Sequence, residues 1–466
     1  MKIKSILLSL VAASLALSAN GVAKVENSSV LADAMKNGKT SGQIRYYYMS
    51  EDNSDPYRDY YGSVIGGHLK YETGAIAGFS AGAAFYASQF LSSDYDENSG
   101  EPLIGPGKNS RYVAGLMDAS DPSVRNISGI GELYLNYKYS KTNVRIGRMK
   151  LNTPFINPVD GRMIPSLPQG VWFKTSDLED FELQAGYLNA FWNRSTSNWK
   201  SAADSIGYGY PEGNAPTGGK ATYKNNTHTD GVYVASVAYS GVKGLNVQAW
   251  DYYLQNIMNV AYLEAEYKHK VGDYRFVVAG QYIHEVTVGD GGNGKDPKHA
   301  YRAKNENTQV FGAKVGAGYD GTMLTLAATK VTDQGRFQFP REWGKEPLFT
   351  FQKRERTDGS GDATAVLLTL GQDFGVFGMK GLDVLAGIGK YDRTDAWNAK
   401  LNKFGIPSYI QGNIDVTYKF DGLFKGLSAE YIFARKYATG DTHNNDNFVV
   451  GKNALNVHNF IMNYNF

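Results

Sequence analysis

The sequence predicts an all-β fold: a transmembrane antiparallel β-barrel of about eighteen strands whose third extracellular loop folds inward. Three observations carry this reading. Segments along the whole chain alternate apolar and polar residues with the period of two that a strand requires. Their connections alternate between short turns and long, polar, glycine-rich loops. An export leader opens a chain of 466 residues that contains no cysteine.

The leader comes first in the chain. Lys2 and Lys4 precede an apolar run from Ile6 to Leu17, and Gly21 and Ala23 supply the small residues of a cleavage site after Ala23. Residues 1–23 therefore read as a secretory signal peptide, because the apolar run is too short to cross a bilayer comfortably. Residues 24–466 form one domain, since no linker, composition break or low-complexity tract divides them. Removing the leader takes Lys2 and Lys4 from 48 basic residues and none of 46 acidic ones, so the exported chain is about neutral. The lack of cysteine excludes disulfides and zinc–thiolate chemistry. The 33 Tyr, 22 Phe and 53 Gly against 14 Pro favour aromatic-rich strands joined by glycine turns.

Val30 to Gly38 has the length of a short helix or turn before the first strand. That strand, SGQIRYYYM, sets Ile44, Tyr46 and Tyr48 opposite Gln43, Arg45 and Tyr47. VIGGHLKY places Ile65, Leu69 and Tyr71 opposite His68 and Lys70, and FSAGAAFY alternates from Phe79 to Phe85. ELYLNYKY sets Leu133, Leu135, Tyr137 and Tyr139 against Glu132, Asn136 and Lys138, and NVRIG sets Val144 and Ile146 against Arg145. Later strands are read near GVWFKTSD, FELQAGYL, VYVASVAY, LNVQAWDYY, VAYLEAEYK, YRFVVAGQY, VFGAKVGAGY, MLTLAATKV, ATAVLLTLGQDF, LDVLAGIGKY, YIQGNIDVTYKF, LSAEYIFARKY and NVHNFIMNYNF. SKT, LED, GVKG, VGD, DG and MKG are short turns, and the opposite connections are long except for a brief link around Ile257. Phe460, Met462, Tyr464 and Phe466 share one face of the last strand and end the chain on phenylalanine. Barrel closure satisfies every strand edge, as hydrocarbon demands.

One stretch breaks the rhythm. Gly147 to Gly170, GRMKLNTPFINPVDGRMIPSLPQG, carries Pro154, Pro158, Pro165 and Pro168, each without a backbone donor for a sheet ladder. A stiff irregular segment after the fifth strand sits at a long connection, where it can fold into the barrel and narrow it.

Here the chain resembles the OprD-type outer-membrane porins. The opening and final strands are similar. The most specific match is Pro154, then Asp160-Gly161-Arg162-Met163-Ile164-Pro165, then Gln169-Gly170, which follow that family's constriction-loop pattern. A second likeness is the loop FPREWGKEPLFTF followed by RER. The resemblance implies an eighteen-stranded barrel narrowed by its third loop, with a later loop helping to define the eyelet. It further implies a row of basic side chains guiding small solutes that bear a carboxylate, to which Arg162 answers by motif position.

The residues give their own candidates. By parity Arg45, His68, Lys70, Lys138, Arg145, Arg275 and Lys419 face inward, because a charge facing lipid at mid-membrane costs about 2 to 4 kcal/mol. As a set they form a field that orients anions; singly, each can hydrate the lumen or pair with inward Glu132, Glu264, Glu266, Asp373, Asp383 or Asp415. In the constriction stretch Asp160, Arg162, Ser166 and Gln169 are placed to touch solutes, or to brace the loop against the wall. Arg336, Arg341, Glu342, Trp343, Lys345 and the run from Lys353 to Arg356 belong to another long loop, and surface charge that binds lipopolysaccharide or pairs locally explains them at least as readily as solute contact does.

Catalytic signals are poor. GDGGNGKD, Gly289 to Asp296, nearly matches a P-loop but ends in Asp where Ser or Thr is needed, and reads as a flexible extracellular loop. The seven His show no metal spacing, and the acidic loop Asp94 to Glu97 does not fit an EF-hand. The expected function is passive diffusion of small hydrophilic solutes across the bacterial outer membrane, with a preference for carboxylates, without enzyme activity, cofactor, metal or nucleic-acid partner. Expected partners are the solutes, membrane lipid and lipopolysaccharide, and homotrimer and monomer both remain open. The alternatives are an outer-membrane lipase or protease built on His284 or His458, and a structural or adhesive barrel with binding loops.

Overall fold

The structure, a computed structural model, describes residues 27–53, 58–94, 112–121, 124–159, 161–354, 356–444 and 455–466. The expected leader, the acidic loop beyond Asp94, and Asp160 lie outside them. A helix, α1 (Asn27–Lys36), precedes β1 (Lys39–Asn53), β2 (Tyr60–Glu72), β3 (Phe79–Ser93), β4 (Ile127–Tyr139), β5 (Thr142–Arg148), β6 (Leu167–Thr175) and β7 (Phe181–Trp192). A three-residue strand β8 (Trp199–Ser201) and a short helix α2 (Ala202–Ser205) follow. The chain continues through β9 (Val232–Tyr239), β10 (Leu245–Leu254), β11 (Met258–Val271), β12 (Tyr274–Thr287), β13 (Asn307–Tyr319) and β14 (Thr322–Val331). It ends with β15 (Thr364–Asp373), β16 (Leu382–Asp392), β17 (Tyr409–Lys419), β18 (Leu427–Ala438) and β19 (Leu455–Asn465).

Every pairing is antiparallel, and β7 pairs directly with β9, so β8 is an appendage and the closed ring has 18 strands. The ring closes between β1 and β19, in register from Gln43 opposite Asn465 to Asn53 opposite Leu455. Closure reaches the last residue, where Gly42 N donates to Phe466 O at 2.9 Å and Phe466 N to Gly42 O at 3.1 Å. The alternation read from the sequence is the in-out alternation of the wall. In β1, Ile44 is 52% exposed on the lipid side while its neighbour Arg45 is 4% exposed on the inside.

Connections at one end are tight, as between β4 and β5 or β13 and β14. The other end carries the long loops: L3 (residues 149–166), L4 (193–231, with β8 and α2), L6 (288–306), L7 (332–363) and L8 (393–408). Its one brief described link, residues 255–257, joins β10 to β11. The irregular segment is shorter than the Gly147–Gly170 stretch: β5 keeps Gly147 and Arg148, and β6 begins at Leu167. Pro168 is accommodated because it sits at the start of β6, where its carbonyl accepts Met149 N at 2.9 Å.

With 7 residues β5 is the shortest strand of the ring, so the wall is low where L3 leaves it. Trp192 and Trp199 cover that notch with ring centroids 6.2 Å apart, and Trp199 Nε1 donates to Ile130 O of β4 at 3.2 Å. Inside, L3, L4, L6 and L7 bury an apolar core against the inner face of the β6–β14 sector. Phe155, Ile206, Tyr223, Tyr301, Phe337 and Trp343 meet Trp172, Tyr252, Val260 and Ile283 there.

Candidate functional site

L3 crosses the lumen. Near its start Phe155 packs on Tyr252 of β10 and Tyr262 of β11, with ring centroids at 5.5 and 6.0 Å. Near its end Arg45 of β1 donates to Arg162 O at 2.8 Å, and the Tyr47 hydroxyl to Gly161 O at 3.4 Å. β1 and the β10–β11 hairpin stand almost opposite each other in the ring, so a loop that holds both must span the bore.

L7 is laid against L3. Asn157 N donates to Trp343 O at 3.1 Å, Lys345 N to Asn157 Oδ1 at 3.0 Å, and Ser166 Oγ to Glu342 O at 2.5 Å. A Cβ at position 344 would lie 2.1 Å from Phe155 O, so this approach requires Gly344. Trp343 stacks on Phe191 of β7 at 3.9 Å, and its indole N–H donates to Ser205 Oγ at 2.8 Å. The tip of L7 then returns to the wall. Arg354 donates to Tyr47 Oη at 3.0 Å and Asn459 Oδ1 at 2.6 Å, and Lys353 lies between Asp415 at 2.9 Å and Glu430 at 2.7 Å. Both loops carry a non-glycine residue in the left-handed region, Val159 at φ 47° and Arg354 at φ 85°. Such strain persists only where surrounding contacts impose it.

Where L3, L4 and L7 meet, guanidinium groups gather. Burial, followed by repulsion from Arg354 and Arg194, pulls Arg162 down to about 10. Burial with repulsion from Arg194 and Arg341 brings Arg356 down to about 9. Arg194 meets the neutral Tyr210 Oη at 2.7 Å and Arg162 the neutral Gly161 O at 2.6 Å, and Arg356 donates to Gly344 O at 2.7 Å. Among the described residues Arg162, Arg194 and Arg354 have no carboxylate within ion-pair distance. Such a cluster, held by neutral acceptors beside the bore, has capacity left for an anionic oxygen.

Arg45, His68, Lys70 and Arg145 lie on the inner side of the β1–β5 wall. Arg45 Nε donates to Asn463 at 2.6 Å, His68 stacks on Tyr86 at 5.0 Å, Lys70 pairs with Glu132 at 2.8 Å, and Arg145 lies over the Tyr134 ring at 4.3 Å. Lys138, Arg275 and Lys419 share inward parity but stand beside the short turns, and Lys419 meets Asp383 at 3.6 Å. Parity fixes the side of the wall and not the height along it, so these three do not join the arginine cluster. Of the inward acids, Glu266 pairs with Lys314 at 2.8 Å, and Asp373 instead caps the turn after β15. Ser166 is buried under L7 and braces the loop. Gln169 belongs to β6, where Arg148 Nε donates to its side chain at 3.2 Å.

The largest correction concerns L7. Arg336, Glu342 and Trp343 are buried within the barrel and not spread on its surface. Arg194 and Tyr210 of L4 were not singled out by sequence, because an isolated Arg and Tyr in a long loop carry no periodic signal. GDGGNGKD lies in L6 and is packed, not flexible: Asn293 Nδ2 donates to Asn226 O of L4 at 2.8 Å. His284 meets Asn307 at 2.9 Å, and His458 meets Tyr431 at 2.8 Å and Asp52 at 3.1 Å. These contacts tie both histidines to the strands, and among the described residues no serine hydrogen-bonds to either ring.

A closed barrel whose bore is crossed by two interlocked loops and edged with arginine defines a diffusion channel of the bacterial outer membrane. The chain belongs to the OprD family of outer membrane porins, which matches residues 32–450, and members of that family are channels rather than enzymes. Among solved structures it is similar to Pseudomonas aeruginosa OpdK with vanillate, at TM-score 0.71 and 17% identity over 93% of this chain and 99% of that one. It is similar to Acinetobacter baumannii OccAB2, at TM-score 0.70 and 16% identity over 93% and 99%. It also resembles Pseudomonas aeruginosa OccK8 (OprE), at TM-score 0.69 and 18% identity over 93% and 98%. At these identities the likeness is one of fold. Comparison with curated proteins found no match.

Proposed function

We propose that this porin prefers small hydrophilic solutes bearing a carboxylate and selects them at the junction of L3, L4 and L7. The observation that carries the reading is the cluster of Arg162, Arg194 and Arg354, whose hydrogen bonds go to neutral acceptors. A carboxylate arriving there exchanges water for charge-assisted bonds, and the low-dielectric wall focuses the field that draws it in. Lys70 and Arg145 then offer weaker stations towards the periplasm: Lys70 is already paired with Glu132, whereas Arg145 Nε has no partner among the described residues. Lys138, Arg275 and Lys419 sit at the exit. The presence of vanillate, an aryl carboxylate, in the OpdK structure supports the same class.

The test is ion selectivity in planar bilayers under a potassium chloride gradient. The native channel is expected to favour anions, and Arg162→Gln with Arg194→Gln to abolish that preference. A reversal potential unchanged by the double substitution removes the reading. The lipid partner proposed for the outer leaflet is lipopolysaccharide. Arg148, stacked over Trp199 at 4.6 Å beside the low wall and without a carboxylate partner among the described residues, supports contact with its phosphates.

A further inference from the structure

Two successive turns at the periplasmic end each expose several large apolar side chains. The β15–β16 connection, residues 374–381, reads FGVFGMKG, and the β17–β18 connection, residues 420–426, reads FDGLFKG. The tight turns at Ser140-Lys141, Gly272-Asp273 and Asp320-Gly321 carry no apolar side chain.

Both apolar turns are built rather than frayed. Each contains a single 3-10 turn, Phe374–Phe377 and Gly422–Phe424. Each is capped by the preceding aspartate: Asp373 Oδ1 accepts Gly375 N at 2.7 Å, and Asp421 Oδ1 accepts Gly422 N at 2.8 Å. The ordered backbone holds its apolar side chains outward, with Leu423 at 100%, Phe377 at 66%, Phe424 at 62% and Met379 at 48% exposure. Water is an unfavourable neighbour for so much fixed apolar surface.

Their position names the occupant. Tyr418 has the outward parity of Ile414 on β17, Phe420 meets it edge-on at 4.7 Å, and Phe424 meets Phe420 at 6.4 Å. The aromatic side chains thus run without a break from the lipid-facing wall into the turn. The 374–381 turn lies over the adjacent β13–β14 turn, since a Cβ on Gly321 would lie 2.9 Å from Val376 Cγ1. Lys380 and Lys425 follow the apolar residues, as snorkelling cations do at the level of lipid phosphates.

We propose that these two turns dip into the periplasmic phospholipid leaflet and anchor the β13–β18 side of the barrel there. The apolar side chains enter the boundary between headgroups and acyl chains, and the two lysines meet phosphate oxygens. The anchor is strongest on that side, because the β4–β5 and β11–β12 turns are polar and the β6–β7 and β9–β10 turns expose a single large apolar side chain each, Leu178 and Val242.

The chain contains no cysteine, so single thiols can be introduced without background. Leu423→Cys, Phe377→Cys and, as a control, Asp273→Cys would each be labelled with an environment-sensitive fluorophore. The proteins would be placed in nanodiscs of phosphatidylethanolamine and phosphatidylglycerol containing a phosphatidylcholine brominated near the headgroup. Heat-modifiable gel migration verifies that each barrel is folded. Labels at 423 and 377 are expected to be quenched by the brominated lipid and to lose quenching by iodide, while the label at 273 does the reverse. Labels at 423 and 377 that respond like the one at 273 overturn the proposal. So does shielding that appears only when a periplasmic extract is added, which would assign the turns to a protein partner.

Discussion

Replacing Arg354 by glutamine removes one positive charge from the tip of L7 and keeps a side chain of comparable reach. Its guanidinium is fixed by Tyr47 at 3.0 Å and Asn459 at 2.6 Å, and its backbone is held at φ 85°. A carboxylate passing at about 6 Å through an effective dielectric between about 20 and 80 gains about 0.7 to 2.8 kcal/mol from that charge. Since 1.4 kcal/mol is about tenfold, the half-blocking concentration of a small monocarboxylate should rise by about 3-fold to 100-fold. The assay is single-channel block in planar bilayers, repeated at two salt concentrations because screening must weaken the effect. Arg354→Lys separates charge from tethering: it keeps the charge and loses the forked contact to Tyr47 and Asn459. Selectivity should survive in Arg354→Lys while open-channel noise rises. If Arg354→Gln leaves block and reversal potential unchanged, Arg354 is a tether alone and the arginine cluster does not bind the solute.

Phe155→Ala should cost L3 about 3 to 5 kcal/mol of packing, because the ring is enclosed by Phe339 at 4.9 Å and Tyr252 at 5.5 Å. The expected result is larger and noisier conductance from a barrel that still shifts on heating in gels. Gly42→Val should destabilise the β1–β19 seam by about 1 to 3 kcal/mol, since a Cβ there lies 2.6 Å from the Phe466 ring and 2.7 Å from His68 O. A lowered temperature for the gel shift checks it. Burial pushes the Glu346 carboxyl up to about 7 although Thr357 N and Asp358 N donate to it at 2.7 and 2.9 Å. An acid raised above its ordinary value keeps its proton in the folded state, so its contribution is largest below about pH 4.5 and is lost as pH rises to about 7. Channel noise should therefore grow across that window, and Glu346→Gln should flatten the dependence.

The wall was legible because lipid enforces a period of two: the outward positions Ile44, Tyr46 and Tyr48 of β1 and Phe276, Val278 and Tyr282 of β12 are apolar, so alternation and topology are written in the same residues. The third loop was legible for a related reason, since Pro154, Pro158 and Pro165 cannot continue a ladder. Height was not legible. Lys419 and Arg45 obey the same parity, yet one lies by a periplasmic turn and the other reaches L3, because the side of a strand repeats and its depth does not. L7 was the least legible. Its run from Lys353 to Arg356 has the composition of a surface segment, and what draws it inward is Trp343 on Phe191 and Gly344 against Phe155 O, contacts between residues far apart in sequence. Ser166 misled because a hydroxyl is equally suited to a solute and to the carbonyl of Glu342, which it meets.

The same packing determines what the tip of L7 meets on the wall. Loop backbone inside a barrel needs both an apolar face to bury and partners for its polar groups. The β6–β14 sector offers the apolar face, with Trp172, Leu188, Val232, Tyr252, Val260 and Ile283 buried inward. Within that packed half buried arginines meet carboxylates: Arg302 donates to Glu285 at 2.7 Å, and Arg336 Nε lies 3.8 Å from Glu306. The opposite sector presents Gln411, Asn413 and Asp415 from β17, Asn459 and Asn463 from β19, and Arg45 and Tyr47 from β1. L7 and L3 supply partners to these groups: Gln411 Nε2 donates to Lys353 O at 2.9 Å, Asp415 pairs with Lys353 at 2.9 Å, and Arg45 donates to Arg162 O at 2.8 Å. The strand wall there holds the tip of L7 through fixed amides, and the loop brings an arginine to them. It follows that Asn459→Leu, a change on the wall, should act on selectivity through Arg354, whose guanidinium loses its 2.6 Å acceptor and swings from its position beside the passage.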